Sequence, residues 1–326
     1  MTDRLGSVYN HLFSRLTELS LHSSPQHELR AVLQWAQRSD EANRKASSFV
    51  LSSLWTCAGV GGKADWAVPV AAAWRVLHLA AQLFDCVQDD HRLPVGIPLI
   101  CRAQAVSVAT SFLFLAGIAL EALIELEEGC NTFIQVRRCL DRAALEASSG
   151  QHADLSQRTE RSKISPQRCL AIMAAKSGQV FSAACQMGAI VGKARAERVG
   201  ACAEFGYNLG IMGQIADDWL ALTAPPEAGS PDLAGSLNLA VAYAYAVLPD
   251  AKKKHLSFLL AKAATDARLL AEVRQLLLSA GGSLYLVTQS QLFRQRAKAA
   301  LESAALETGP YQSLRLLLDR ASLMAV

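Results

Sequence analysis

Apolar residues recur every three to four positions along almost the whole chain, and no useful stretch alternates between apolar and polar residues. The first pattern is typical of amphipathic helices and the second of half-buried strands. Ser165 followed by Pro166 is in addition a common helix start. We therefore predict an all-α protein. The predicted helices cover residues 4–19, 25–38, 41–58, 67–90, 98–126, 131–149, 165–193, 197–222, 236–248, 251–279, 281–304 and 309–324.

The breaks between these helices are short, which bears on the number of domains. They fall at residues 59–65, 93–98, 150–164 and 223–235, and none resembles a long interdomain linker. The chain has 326 residues, of which 51% are hydrophobic and 19% charged, enough to bury a sizeable core. We predict a single domain over residues 1–326.

Charge and hydropathy exclude two classes of partner. The net charge is only +3, and the basic residues are scattered, so no nucleic-acid partner is expected. Residues 103–120 carry no charge, but they contain Ser, Thr and Gln and are bounded by Arg102 and Glu121. A buried core helix fits this stretch better than a stable membrane span. Eight cysteines without a CxxC pair, and an N-terminus without a signal peptide, predict free thiols in the cytoplasm.

A first group of carboxylates stands at the end of the predicted helix 67–90. Asp85 and Asp89 are four residues apart, so their side chains share one face, with Cβ atoms about 5–6 Å apart, and Asp90 follows directly. Like charges in this arrangement repel each other. A divalent cation would turn them into a ligand pair, because Mg²⁺ binds a few carboxylates together with substrate phosphates.

A second group ends the predicted helix 197–222. Asp217 and Asp218 are adjacent there, and Gln214 lies one turn earlier. A charged pair on an apolar helix is costly unless it is solvated or compensated. Either group alone is most simply a solvated helix end, but two such groups on two apolar helices favour a shared metal–diphosphate site.

The order of these segments resembles that of the trans-isoprenyl diphosphate synthase family. Residues 85–89 (DCVQD) match its first motif, DDxxD, and residues 210–221 (GIMGQIADDWLA) resemble its second, GxxFQxxDDxxD. Between them, residues 150–155 (GQHADL) resemble GQxxDL, and residues 176–177 resemble the family's Lys-Thr pair. His78, seven residues before the first aspartate, also matches a family histidine.

This resemblance implies an isoprenoid-synthase helical bundle around a central cavity, and an enzyme that ionises an allylic prenyl diphosphate in isoprenoid biosynthesis. It implies three Mg²⁺ ions held by Asp85, Asp89 and Asp217, with Asp90 and Asp218 acting at the metal site through water. It also implies a homodimer and an acceptor, either isopentenyl diphosphate or another nucleophile. The residues expected to contact the diphosphate are Lys176, Arg92, Gln214 and His78, of which Lys176 is counted as catalytic with the three aspartates.

The sequence departs from the family pattern at several positions. Cys86 replaces an aspartate of the first motif, and Gly213 and Ala221 replace the Phe and the last Asp of the second. On the side that binds isopentenyl diphosphate, Ser236 stands where the family has a lysine. Each missing cation removes a charge-assisted hydrogen bond worth about 1.5–3 kcal/mol.

These losses leave three functions open. The first is a prenyltransferase that elongates an allylic diphosphate, and the second is a terpene synthase that cyclises or quenches the cation. The third is a non-catalytic subunit of a heteromeric synthase. Retention of the three aspartates and Lys176 favours an enzyme, since a structural subunit has no need of clustered carboxylates.

Overall fold

The structure, a computed structural model, describes residues 2–19, 23–89, 93–98, 101–157, 164–223, 233, 237–263 and 267–323. These residues form helices, turns and bends and contain no β-strand, which confirms the predicted all-α class. The α-helices within them are α1 Thr2–Glu18, α2 Ser23–Ala42, α3 Arg44–Val50, α4 Ser52–Gly59, α5 Val68–Gln88, α6 Arg102–Ala119, α7 Gly129–Gln157, α8 Pro166–Met173, α9 Gln179–Val191, α10 Ala196–Thr223, α11 Leu239–Val247, α12 Asp250–Ala263, α13 Ala267–Ser279, α14 Gly282–Ser303 and α15 Thr308–Ala321.

Three short helical segments of other types adjoin these α-helices. A 3₁₀-helix at Ala64–Ala67 leads into α5, and another at Leu120–Glu125 follows α6. A π-helix at Ala174–Gly178 joins α8 to α9. Single π-turns are rare inside α-helices and occur frequently at functional sites.

The helix predictions agree with the structure except at three places. The single helix predicted over 251–279 is wrong, because the structure has two helices there, α12 and α13, which pack against each other. The Ser165 cap is confirmed, because its hydroxyl accepts the Arg168 N–H at 3.1 Å. The helix predicted over 41–58 is wrong: Asn43 caps a new helix, α3, and a turn at Leu51 separates α3 from α4. The break predicted over 150–164 is also too long, because α7 continues to Gln157.

One compact unit comprises Met1–Ala144, Val180–Gly206 and Ala299–Leu317. Helix α5 lies in its core and contacts α1, α3, α4 and α6. Its side chains are buried almost continuously from Pro69 to Ala80, which explains why most of its sequence is apolar. Each large apolar side chain buried in this way contributes about 1.5–3 kcal/mol.

A second compact unit comprises Leu145–Gln179, Tyr207–Lys298 and Leu318–Val326. Within it, α11 contacts α8 and α13, and α12 contacts α13. The rings of Tyr243 on α11 and Tyr285 on α14 stack with centroids 4.2 Å apart. Several helices, among them α7 and α10, contribute residues to both units. The single domain expected over residues 1–326 stays a prediction.

Arg198, at the start of α10, ties together distant parts of the first unit. Its guanidinium donates to the carbonyls of Gly59 (3.1 Å) and Val60 (3.3 Å), at the end of α4. It also donates to Ala304 and Ala305, both at 2.9 Å, just beyond α14. Carbonyls at helix ends lack partners within their own helix, so one half-buried cation satisfies two helix ends at once.

Two helical stretches, Ala64–Gln88 and Arg102–Glu125, are long and apolar enough to cross a membrane by length and composition alone. In the first, 72% of the most apolar window is buried inside the protein, as is usual for a core helix. In the second the share is 50%, and Val106, Leu113 and Phe114 are exposed on α6. The predicted core helix at 103–120 is therefore present, but one of its faces is not covered.

Candidate active site

The first pair of aspartates ends α5 in the first unit. Asp85 lies in the last turn, and Asp89 is the residue that ends the helix, its N–H donating to the Asp85 carbonyl at 2.8 Å. Both side chains are half-buried. Carboxylates at a helix C-terminus are disfavoured by the helix dipole, so a fold retains them there only at a cost. Burial and the two neighbouring aspartates raise the pKa of the Cys86 thiol between them.

His78 lies two turns before Asp85 on the same helix, within a group of aromatic rings. Its imidazole stacks on the Trp74 indole, with centroids 5.0 Å apart, and meets the Phe181 ring edge-on. Trp74 is fixed in turn, because its Nε1 donates to the Val180 carbonyl at 2.9 Å. Burial, helped by the nearby Arg75 cation, lowers the pKa of His78 to about 3. The imidazole is therefore neutral near pH 7.

A buried ion pair holds α5 against α2. Arg75 on α5 donates from Nε to Asp40 Oδ2 at 2.6 Å and from Nη2 to Asp40 Oδ1 at 3.0 Å. Tyr9 on α1 donates its hydroxyl to the same carboxylate. Asp40 is 2% exposed and Arg75 5%, so the pair lies in the core. Two-point pairing of this kind fixes the rotation of the helix that ends at Asp85.

In the second unit, Lys176 lies in the π-helix and pairs with Asp154 on α7. Lys176 Nζ is 2.8 Å from Asp154 Oδ2, and Asp154 is 3% exposed. Gly150, one turn before Asp154, explains how these helices come so close. A Cβ at Gly150 would lie 2.8 Å from the Lys176 amide nitrogen, so a larger residue would push the helices apart. The glycine thus serves a close approach and not the turn that the sequence suggested.

Gln151 was not assigned a role from the sequence, although it lies in the GQHADL segment. Both polar atoms of its side-chain amide are buried and have no hydrogen-bond partner among the described residues. A buried amide without partners costs about 1–3 kcal/mol, so such groups usually meet water or a ligand. Gln151 lies three residues before Asp154, so the two side chains share one face of α7. This spacing is the signal in the sequence that could have marked Gln151 as a site residue.

The second aspartate pair, on α10, divides into one exposed and one buried side chain. Asp217 is exposed, and Gln214 Nε2 donates to its Oδ2 at 3.1 Å. Asp218 is buried, and its Oδ2 accepts the Leu239 N–H at 2.6 Å. Burial raises the pKa of Asp218 well above its usual value, and the Leu239 N–H opposes this. Adjacent residues on a helix point about 100° apart, which accounts for the contrast.

Some of the predicted site residues lie among the described residues and others do not. Asp90 and Arg92 lie outside the described residues, as does Ser236. Among the described residues, Lys176 pairs with Asp154, and Gln214 donates to Asp217. Asp85 and Asp89 lie together at the end of α5. In that part of the chain, no three His, Cys, Asp or Glu side chains are grouped so as to hold a metal ion. The meeting of the two aspartate groups at one metal site stays a prediction.

A surface cavity of about 550 Å³ lies in the first unit. Its lining comprises Ile124, Leu126, Glu128, Gly129, Cys130 and Asn131. None of the residues predicted to bind metal or diphosphate lines this cavity.

Comparison with known proteins finds a matching family model and several similar curated proteins. The family model described as polyprenyl synthetase matches residues 31–277. The geranylgeranyl diphosphate synthase of Sulfolobus acidocaldarius is 31% identical over 179 residues, which cover 52% of this chain and 53% of that protein. The geranylfarnesyl diphosphate synthase of Aeropyrum pernix is 27% identical over 267 residues, covering 78% and 81%. The chain thus spans about half the length of some of the curated relatives it matches.

The fold is likewise shared with solved structures. The crystal structure of geranylgeranyl pyrophosphate synthetase from Pyrococcus horikoshii superimposes with a TM-score of 0.80 and 22% sequence identity. The superposition covers 99% of this chain and 96% of that one. This likeness confirms the helical fold expected from the sequence motifs.

Proposed function

Because this chain belongs to the polyprenyl synthetase family, we propose that it is a prenyltransferase that ionises an allylic prenyl diphosphate and joins the prenyl group to isopentenyl diphosphate. The observation that carries this proposal is the pair of carboxylates, Asp85 and Asp89, at the end of a buried apolar helix. Such a pair is unfavourable for the helix alone, and a divalent cation bound between the two carboxylates would offset their repulsion. The names of the relatives, which are diphosphate synthases, support elongation over cyclisation.

Asp85, Asp89 and Asp217 are the proposed ligands of Mg²⁺, with three ions expected once diphosphate is bound. Their chemistry fits, because Mg²⁺ prefers oxygen ligands and keeps open positions for water and phosphate. Bound Mg²⁺ would supply the positive charge that neutralises the leaving diphosphate. Asp90 is proposed to act through water.

Lys176, Arg92, Gln214 and His78 are the proposed contacts to the diphosphate. Lys176 is held by Asp154 from one side, which limits the orientations of its ammonium group before substrate binds. A neutral His78 would contribute a hydrogen bond and no charge. The buried amide of Gln151, which has no partner among the described residues, supports a further contact to the diphosphate or to metal-bound water.

Incubation of the purified protein with geranyl, farnesyl or geranylgeranyl diphosphate and Mg²⁺ tests the proposed activity. Each substrate is supplied with and without isopentenyl diphosphate, and the organic products are analysed by mass spectrometry. We expect a longer prenyl diphosphate that forms only when isopentenyl diphosphate is present. A hydrocarbon or alcohol formed without it would instead establish a terpene synthase. No turnover with any pair would contradict the proposal and favour a non-catalytic subunit.

Replacing Lys176 by Gln should raise the KM for the allylic diphosphate by about 10- to 100-fold, since a charge-assisted hydrogen bond is worth about 1.5–3 kcal/mol. Asp154→Asn should produce a smaller rise, because Lys176 keeps its charge but loses its ionic partner. Steady-state kinetics of both variants would measure the effects. Lys193→Gln is the matched control, because Lys193 pairs with Glu127 on the surface. Equal KM values for Lys176→Gln and Lys193→Gln would contradict the assignment.

We also propose that the protein is a homodimer whose interface includes the uncovered face of α6. Val106, Leu113 and Phe114 lie on one side of this helix, and Phe114 is 71% exposed. Large apolar side chains clustered on a surface usually mark an interface. Light scattering should therefore give twice the chain mass of 35.0 kDa, and Phe114→Glu should give the single chain mass. A single chain mass before substitution would contradict the dimer.

All eight cysteines are free, and four of them are buried. Free thiols persist where glutathione and thioredoxin keep cysteines reduced, which supports the proposed location in the cytoplasm.

A further inference from the structure

The two neighbouring aspartates of α10 have opposite surroundings. Asp217 is exposed, whereas Asp218 is 8% exposed and directs Oδ2 at the Leu239 N–H, 2.6 Å away. Leu239 is the first residue of α11. The buried carboxylate of one helix thus receives a backbone donor from the beginning of another.

The side chains of two residues cap the start of α11. Asn238 precedes the helix, and its Oδ1 accepts the N–H of Ala240 at 2.9 Å and that of Val241 at 3.4 Å. The N–H of Leu239 is out of its reach and goes to Asp218. The first N–H groups of a helix have no partner within it, so the two side chains together satisfy the first three.

A second bond runs between the same segments in the opposite direction. Asn238 Nδ2 donates to the backbone carbonyl of Asp218 at 3.4 Å, and Asn238 is 1% exposed. Separating α11 from this turn of α10 would therefore leave several buried polar groups without partners. Each such group costs about 1–3 kcal/mol, which makes the junction stiff.

The end of α10 is also hydrogen-bonded to α13. Arg274 Nε donates to the Ala221 carbonyl at 3.1 Å, one turn after Asp217. The end of α10 is thus fixed by α11 through Asp218 and by α13 through Arg274. Asp217 lies within this restrained turn while its own side chain remains exposed.

We propose that Asp218 is a positioning residue and not a metal ligand: it binds the start of α11 and so holds the α10 turn from which Asp217 reaches the metal. This inference rests on the proposed function for the role of Asp217. It replaces, for Asp218 alone, the role at the metal site that the motif implies. Asp218 Oδ2 is already engaged with the buried Leu239 N–H, whereas the Asp217 side chain is exposed.

Asp218→Asn, Asp218→Ala and Asp217→Asn together test this role. Asparagine keeps an oxygen that can accept the Leu239 N–H, whereas alanine does not. The Mg²⁺ concentration for half-maximal rate should rise about 10-fold or more in Asp217→Asn, as expected when a metal site is disturbed, and should change little in Asp218→Asn. Asp218→Ala should lower kcat and the unfolding temperature and should also raise the Mg²⁺ requirement, because Asp217 is then held less firmly. Asp218→Asn should recover most of all three.

An equal rise in the Mg²⁺ requirement for Asp218→Asn and Asp217→Asn would overturn the inference and make Asp218 a ligand. Hydrogen exchange of the Leu239 amide gives a readout that does not depend on activity. The exchange should be faster in Asp218→Ala than in Asp218→Asn, and equal protection in both variants would also overturn it. If Asp217→Asn leaves the Mg²⁺ requirement unchanged, the proposed metal site fails, while the exchange result still decides whether Asp218 holds α11.

Discussion

Replacing Asp85 or Asp217 by alanine is expected to lower kcat/KM for product formation on the order of 1,000-fold. Each change removes a carboxylate from the proposed metal site, and metal ions contribute several kcal/mol of charge stabilisation in such reactions. Because about 1.4 kcal/mol corresponds to a factor of ten in rate, a loss of about 4 kcal/mol gives this effect. Initial rates with an allylic diphosphate, isopentenyl diphosphate and saturating Mg²⁺ would measure it.

A suitable control is Asp250→Ala, which removes a carboxylate at the start of α12. The Asp250 side chain is 94% exposed, and its nearest cation, Lys253, is 3.8 Å away. This variant should keep its rate. Unfolding midpoints of all three variants would show whether any rate loss reflects the fold. Full activity in both Asp85→Ala and Asp217→Ala would refute the metal assignment, whatever product the enzyme makes.

The largest effect on stability is expected from Asp40→Ala, which should lower the free energy of unfolding by about 3–5 kcal/mol. The substitution leaves the Arg75 guanidinium, only 5% exposed, without its carboxylate. It also removes the acceptor of the Tyr9 hydroxyl. An uncompensated buried charge is costly because water cannot replace the lost partner. Urea unfolding followed by circular dichroism would measure the change.

An exposed pair of the same residue types provides the matched control. Arg137 donates from Nε to both carboxylate oxygens of Asp141 at 2.9 Å on the surface of α7. Asp141→Ala should change the free energy of unfolding by less than about 1 kcal/mol, as exposed pairs usually do. Asp40→Leu combined with Arg75→Met should recover most of the loss, since no buried charge then remains. A loss no larger in Asp40→Ala than in Asp141→Ala would contradict the argument.

The helices could be predicted from the sequence because periodicity is a local property. The helix predictions failed where two different structures share the same local sequence pattern. The apolar pattern of residues 41–58 runs unbroken across Leu51, and nothing in it marks the turn that separates α3 from α4. Gly150 suggested a turn because glycine ends many helices, yet here it lies within α7 and permits the close approach of Lys176. Only the tertiary contact distinguishes these two uses of glycine.

Candidate site residues could be predicted as positions but not as contacts. Helical spacing places Asp85 and Asp89 on one face, and the structure agrees. By contrast, the pairing of Asp154 with Lys176 joins residues 22 positions apart, and that of Asp218 with Leu239 joins residues 21 apart. A single sequence carries no signal for such pairs. The different roles we propose for Asp217 and Asp218 could not be separated by composition, since both are aspartates on one turn.

Arg198 hydrogen-bonds four backbone carbonyls from two distant parts of the chain, and this affects the order in which the first unit can fold during synthesis. Two of them belong to Ala304 and Ala305, in the last part of the chain, whereas the other two lie at the end of α4. Domains often fold from the N-terminus as they leave the ribosome. The first unit includes Ala299–Leu317, so it cannot be completed until that segment has left the ribosome. Earlier in translation, Arg198 can bond the carbonyls at the end of α4 but not those of Ala304 and Ala305.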